Sequence, residues 1–316
     1  MIITSGLAFS RRLPLFPALV AAAVLLGCSS LAAEDATAYE PKRGQAGKDV
    51  VWIPTPDELV IRMLRLAQVT SKDFVVDLGA GDGKIVIAAA RDFGAKGLGL
   101  EYDPKLVGHA LRNAKAAGVS KLADFRQADI FATDFSNADV VTMYLLPDLN
   151  LKLRPTLMAM KPGTRLVSHQ FTMGNWRPDE TSWVQNRPAY LWIVPANSGG
   201  TWRTSWREGG RAVDAPVSVD QEFQDLKGSV EFGPIRTSLR APRLRGSNIA
   251  FAFTDGSGAL REVEATIDGD QMQGTVTGPG GSEAFSAIRK GLAPPPQGAA
   301  PASSEELIDA MRELNG

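Results

Sequence analysis

The stretch VVDLGAGDGKIVIAAA, residues 75–90, decides how the rest of the chain is read. Apolar, β-branched sequence over 74–78 runs into alternating glycines, Gly79, Gly81 and Gly83, and then into the helical composition of 84–92. Strand, glycine turn and helix form a unit in which backbone approaches a ligand closely. Glycine reaches angles closed to other residues, and the helix start offers unpaired N–H groups. The spacing Gly79-x-Gly81-x-Gly83 departs from the G-x-G-x-x-G of a dinucleotide turn. Asp77 precedes the first glycine and puts a carboxylate at the strand end, which suits a ligand carrying a cationic amine.

The same rhythm continues outward. Strands are expected at 97–101, 124–126, 138–144 and 165–168, and helices at 104–117 and 149–160. The strands are apolar on both faces, which predicts a parallel sheet covered by helices on each side. Residues 190–194 are expected to complete the sheet at its edge. Upstream, Thr55-Pro56-Asp57-Glu58 opens a helix, with Thr55 as cap, Pro56 at the first position and Glu58 closing a capping box. Val60, Met63, Leu64 and Ala67 fall on one face of that helix. After Pro195 the pattern changes to short β-like runs separated by Gly, Asn and Asp turns, such as Asp268-Gly269-Asp270. This predicts an antiparallel meander, a small barrel or sandwich. Gly200-Thr201-Trp202 resembles the Gly-x-Trp of lipocalin-like barrels.

Glu101 closes the next strand, where a carboxylate can take both hydroxyls of a ribose. Asp129 follows the third, where it can take an adenine amino group. Acid, glycines, acid and acid on consecutive strand ends resemble the class I S-adenosylmethionine methyltransferases, from about residue 51 to 194. The resemblance implies a Rossmann-like methyltransferase sheet with flanking helices and S-adenosylmethionine as cofactor. It places Asp77, Gly79, Ala80, Gly81 and Gly83 around the methionine part, Glu101 at the ribose, and Asp129 with Ile130 at the adenine. A nucleotide-binding fold using the same turns for NAD is the alternative. WIPTPDELVIRML (52–64) followed by DLGAGDGKIVIAAAR (77–91) is similar to the small protein-lysine methyltransferases related to those of the mitochondrial ATP-synthase c-subunit. That similarity implies Pro54 and Thr55 over the cofactor, and an amine acceptor, a protein lysine. The N-terminus and the added β module depart from that family's pattern and leave the target open.

On the acceptor side, MYLLPDLN (143–150) follows the fourth strand. Tyr144 is the candidate to flank the methyl group; Asp148 and Asn150 serve either there or as caps of the next helix. The N-P-P-Y pattern of DNA and glutamine methylation is absent. His169 ends the fifth strand and either takes a proton from an incoming amine or makes a structural hydrogen bond. Methyl transfer from an activated sulfonium needs alignment and a neutral nucleophile more than a strong base. His109 reads as structural, and Trp176 and Trp183 as packing at a domain junction. No metal site is expected.

The 316 residues carry a net charge of −1 and 44% hydrophobic residues, which gives no electrostatic case for nucleic acid or an anionic membrane surface. Residues 1–33 read as an export segment. Ser10-Arg11-Arg12 precedes the apolar run 13–26, and Leu25-Leu26-Gly27-Cys28 resembles a lipobox. Ser30-Leu31-Ala32 is a rival cleavage site, and Ser10-Arg11-Arg12-Leu13 resembles a twin-arginine signal. The expected location is a bacterial cell envelope or periplasm, with possible membrane attachment through lipidated Cys28; a domain that stays on the cytoplasmic side is the alternative. The expected organisation is then a tether (34–50), a methyltransferase domain (51–195), a β-rich module (196–291), a Pro/Ala linker (292–302) and a C-terminal helix (303–316) with Leu307, Met311 and Leu314 on one face. The expected function is S-adenosylmethionine-dependent methylation of an amine. The alternative is an exported binding protein that keeps the fold and recognises ligands with the β module.

Overall fold

A computed structural model describes residues 39–295 and 302–313; the export segment with Cys28, most of the Pro/Ala linker and Leu314 lie outside them. The first sheet is built as the hydrophobic pattern requires. Strands β1 (Phe74–Leu78), β2 (Lys96–Glu101), β3 (Ala123–Gln127), β4 (Val140–Met143) and β5 (Arg165–His169) pair in parallel. Val75, Val140 and Val167 face helices α1 (Asp57–Leu66) and α2 (Lys84–Phe93), packing on Leu59, Met63 and Ala89. Val76, Val141 and Leu166 face the other way, onto Leu153 and Leu157 of α4 (Pro147–Met158). Helix α3 (Pro104–Ala116) covers β3, with Ala110 and Ala114 beside Phe125.

Two further strands differ from expectation. β7 (Arg187–Ile193) lies antiparallel beside β5, and β6 (Glu180–Val184) pairs with it as the true edge strand. Gln185 and Asn186 both have positive φ, 46° and 64°, the backbone a tight two-residue hairpin demands. Sequence patterning misses β6 because its burial does not alternate: it exposes Glu180, Thr181 and Trp183. The order β3-β2-β1-β4-β5-β7-β6 puts the switch point between β1 and β4, where a crevice opens at the strand C-termini.

The second sheet is a nine-stranded antiparallel meander in the order β11-β10-β9-β8-β16-β15-β14-β13-β12. The first strand, β8 (Gly200–Glu208), pairs with the last, β16 (Gly281–Lys290), and with β9 (Arg211–Glu222). The edges are β11 (Ile235–Ser238) and β12 (Arg240–Arg245), consecutive in the chain and joined at Leu239, whose N–H donates to the carbonyl of Gly228 in β10 (Asp225–Phe232). The sheet is thus a nearly closed barrel rather than a sandwich. Its inward residues are Trp202, Trp206, Phe251, Phe253 and Phe285, which fill the interior. The turns at Asp268-Gly269-Asp270 and at Gly246 fall where composition puts them, between β14 (Leu260–Asp268) and β15 (Gln271–Gly278) and between β12 and β13 (Asn248–Thr254).

The junction uses Trp176, which is fully buried, stacks on Phe223 at 5.8 Å and donates through Nε1 to Gln224 at 3.0 Å. Trp183 does not join it and is 58% exposed. Gly246 of the barrel sits against Gly163, at the N-terminal end of β5 and away from the crevice.

Helix α5 (Ser304–Glu313) begins with a capping box: Glu306 N–H donates to Ser303 Oγ and Ser303 N–H to Glu306 Oε2. Its described docking contact is an ion pair; of the expected apolar face, Leu307 is 39% exposed, and the Met311 side chain and Leu314 lie outside what is described. Arg154, buried on α4, donates to Glu306 Oε1 at 2.6 Å and to the carbonyl of Met173 at 3.2 Å. Glu306→Ala leaves that guanidinium buried without a counter-ion. It is expected to cost about 2–4 kcal/mol in urea denaturation, and a change below about 0.5 kcal/mol would contradict the docking.

Candidate active site

The register of the parallel sheet builds the site. Asp77 on β1 is opposite Thr142 on β4, and Thr142 Oγ1 donates to Asp77 Oδ1 at 2.6 Å. Asp77 is 3% exposed, and burial, reinforced by the nearby Asp82 and Glu101 carboxylates against the one Thr142 hydrogen bond, pushes its carboxyl up to about 7. Beyond it the chain turns at Gly79 (φ +78°) and Gly81 (φ +54°). A Cβ at Gly81 would lie 2.5 Å from Trp52 Nε1, so only glycine lets this tryptophan lie on the turn.

Glu101 ends β2 and is fixed by backbone: Gly81 N–H donates to Oε2 at 2.9 Å and Asp103 N–H to Oε1 at 3.0 Å. Asp129 follows β3. Its Oδ1 accepts from Phe131 N–H at 2.9 Å and its Oδ2 from Lys48 Nζ at 2.8 Å. The Lys48 ammonium, Phe131 N–H and nearby Lys152 hold Asp129 below the usual carboxylate range.

One cleft of about 540 Å³ collects Pro54, Thr55, Asp77, Gly79, Ala80, Gly81, Glu101, Asp129, Ile130 and Tyr144. Gly83 does not line it. At φ +80° it caps α2, and a Cβ there would meet Phe125 Cζ at 2.6 Å, so its role is close helix packing. Thr55 lies over the cleft but does not cap α1. The cap position is Pro56, without a side-chain bond, and the Thr55 hydroxyl shares a hydrogen bond with His169 Nδ1 at 3.1 Å. Asn150 is no cap either: it is buried and donates to the carbonyls of Phe171 and Thr172, at 3.3 Å and 3.1 Å, holding the loop after β5.

The stretch expected as a tether folds over the site in its described part. Ala46 bridges Val51, Trp52 N–H donates to the Gln45 carbonyl, and Lys48 spans to Asp129 while its ammonium lies 4.6 Å above the Tyr102 ring. Lys48, Trp52, Tyr102 and Phe171 are cleft residues that sequence reasoning misses. A glycine-rich polar composition at 44–49 looks like linker whether or not a partner waits across the fold. If the Lys48–Asp129 pair latches this cover, Lys48→Ala should raise cofactor on- and off-rates together, about twofold to fivefold. Stopped-flow fluorescence of Trp52 reports both, and unchanged rates would remove the latch.

Next to the cleft is a mouth of about 350 Å³ that shares Ile53, Pro54, Thr55, Lys84 and Tyr144 with it and adds His169 and Arg187. The Tyr144 and His169 rings lie 3.8 Å apart. Burial, with a smaller effect of Arg187, pushes His169 down to about 4, and burial raises the Tyr144 phenol. Burial thus favours the neutral form of both rings. Of the two roles expected for His169, the structural hydrogen bond is the one present. His109 is buried within α3.

The donor set fits the group the resemblance implies. A buried carboxylate, Asp77, would meet the amine, a backbone-fixed carboxylate, Glu101, would meet the ribose diol, and the glycine cradle at Gly81 has room that a Cβ would fill. A 540 Å³ cleft is of small-molecule size. Strand order, glycine turn and the three acids define a class I S-adenosylmethionine-dependent methyltransferase, with S-adenosylmethionine as its cofactor.

A profile of the ANTKMT methyltransferase domain matches residues 77–180. A protein-lysine N-methyltransferase of Saccharolobus islandicus is 42% identical over 151 residues, 46% of this chain and 94% of that protein. The mouse lysine N-methyltransferase of the ATP-synthase c-subunit is 34% identical, over 47% of this chain and 60% of its own length. Among solved structures, an RNA methyltransferase from Salinibacter ruber in complex with S-adenosyl-L-homocysteine is 53% identical, covering 45% of this chain and 94% of that one, with a TM-score of 0.44. The chain belongs to the protein-lysine N-methyltransferase family that the archaeal protein represents. It covers nearly all of that relative but only about 60% of the mouse one.

Proposed function

We propose that the chain transfers the methyl group of S-adenosylmethionine to the ε-amine of a protein lysine. The observation that carries this is the meeting of the cofactor cleft and a separate mouth at Tyr144, Pro54 and Thr55. The archaeal and mouse relatives are both lysine methyltransferases by name, which supports the same acceptor here. S-adenosylmethionine supplies a methyl group on a sulfonium, open to in-line displacement by a neutral nitrogen. The protein's part is alignment and exclusion of water. Asp77 anchors one end of the cofactor site, and Glu101 with Asp129 anchors the other. Tyr144 and His169 form a neutral aromatic wall along which a lysine stem can lie, and the Thr55 hydrogen bond fixes the imidazole plane. Burial disfavours protonation of His169, which supports loss of the amine's proton to solvent before transfer.

Radiolabelled cofactor incubated with the chain and a protein extract tests this after acid hydrolysis. Label in N-methyl-lysine is expected. Label confined to nucleic acid or to other amino acids would overturn it. We place the chain at a bacterial cell envelope, held through Cys28; palmitate labelling that persists in Cys28→Ser would refute that placement.

A further inference from the structure

The mouth beyond Tyr144 has a one-sided charge. Its charged lining residues are Arg43, Lys84 and Arg187, beside the neutral His169, and it has no carboxylate. Lys84 is neutralised by Asp57, 2.8 Å away. Arg43 and Arg187 have no ion-pair partner among the described residues. Their field reaches the site: both favour the ionised form of the Tyr144 phenol, and Arg187 disfavours protonation of His169.

Two guanidiniums without a counter-ion on the lining of one concave site favour an arriving anion. Arginine is also the side chain whose planar fork best matches a carboxylate. Building on the lysine reading, we propose that Arg43 and Arg187 recognise carboxylates flanking the acceptor amine, so the acceptor is a lysine in an acidic stretch of protein. The arrangement serves the reaction as well as recognition. Flanking carboxylates alone would raise the pKa of the acceptor ammonium and lower its neutral, nucleophilic fraction, and pairing them with Arg43 and Arg187 offsets that effect. Arginines also bind phosphate, so RNA is the competing acceptor. Two free cations are few for a phosphate backbone, and the net charge of −1 does not add to them.

The test uses the full chain, S-adenosylmethionine, and three short peptides with one central lysine flanked by glutamate, glutamine or arginine. An RNA oligomer is run alongside. The readout is the ratio of kcat/KM between glutamate and glutamine peptides within each variant, so any general loss of activity cancels. The native chain is expected to prefer the glutamate peptide about tenfold at low salt, with the preference shrinking at about 0.5 M salt. Arg43→Gln with Arg187→Gln should bring the ratio close to one, and Arg187→Glu should shift preference towards the arginine peptide. A native ratio of one, or a ratio that survives the double substitution, overturns the assignment while leaving lysine methylation intact. Methylation of the RNA and of none of the peptides overturns the lysine reading and this assignment with it.

Discussion

Asp77→Asn should produce a protein that melts at higher temperature and binds S-adenosylmethionine at least about a hundredfold more weakly. Both effects come from one carboxylate. In the free protein it is 3% exposed, has Thr142 as its hydrogen-bond donor, and lies near two other acids. Its folded pKa of about 7 lies above the ordinary 3.8, so the folded chain binds a proton that the unfolded chain releases. Stability from this group is full below about pH 4, is lost as pH rises towards 7, and stays lost above it. The asparagine removes that loss, so its advantage should be absent near pH 4 and largest above 7, with a ceiling of about 4 kcal/mol. Binding has the opposite dependence, because only the carboxylate pairs with an amine. Native affinity should weaken about tenfold for each pH unit below 7, and the asparagine variant should lack that slope. Thermal melts and calorimetric titrations between pH 5 and 8 decide both points. An asparagine variant with native affinity would remove Asp77 from the cofactor site.

Arg289→Met should cost about 3–5 kcal/mol and unfold the barrel first. Arg289 has a 1% exposed side chain and closes the meander where its last strand meets its first. Its Nε donates to Asp270 at 2.8 Å, its Nη2 to the Asn197 carbonyl at 2.6 Å, and its Nη1 to the Gly199 carbonyl. The guanidinium also lies 4.1 Å from the Trp202 ring. Methionine fills much of the volume but leaves the Gly199 and Asn197 carbonyls without their donor, while Asp270, 66% exposed, turns to solvent. Near-ultraviolet circular dichroism of the barrel tryptophans during urea unfolding reads the loss, and a cost below 1 kcal/mol would show that the lock is dispensable. Cofactor affinity of the folded variant should be native, because the barrel meets the first domain at Gly163, Trp176 and Glu180, none of which lines the cleft.

Asp77, Glu101 and Asp129 were legible in sequence because a parallel sheet makes their places periodic. Each follows an apolar strand, and the glycines between the first two mark the ligand turn. Tyr144 was legible for the same reason. Thr55 was legible over the cleft through the family similarity, but its hydroxyl was misread as a cap, because its neighbours Pro56 and Glu58 make a local cap pattern while a tertiary partner 114 residues away takes that hydroxyl. Lys48, Trp52 and Phe171 lie in irregular backbone, where no period links residue to place. Gly83 was misplaced because three glycines at equal spacing look alike, while its steric neighbour, Phe125, comes from another strand. The barrel was legible as β structure from its turns. Its closure depends on pairing β8 with β16 and on Arg289, contacts too distant in sequence for local pattern to reveal. Arg43 and Arg187 have the same property: they are remote in the chain and come together only as lining of one mouth.

The most direct test is a crystal structure of the chain with a bisubstrate analogue, a peptide whose lysine nitrogen is covalently joined to the adenosine portion of the cofactor. The adenosine should lie between Glu101 and Asp129, and the peptide should leave past Tyr144 and His169, beside Arg187. Adenosine bound elsewhere, or a peptide leaving by another route with the mouth empty, would contradict the account.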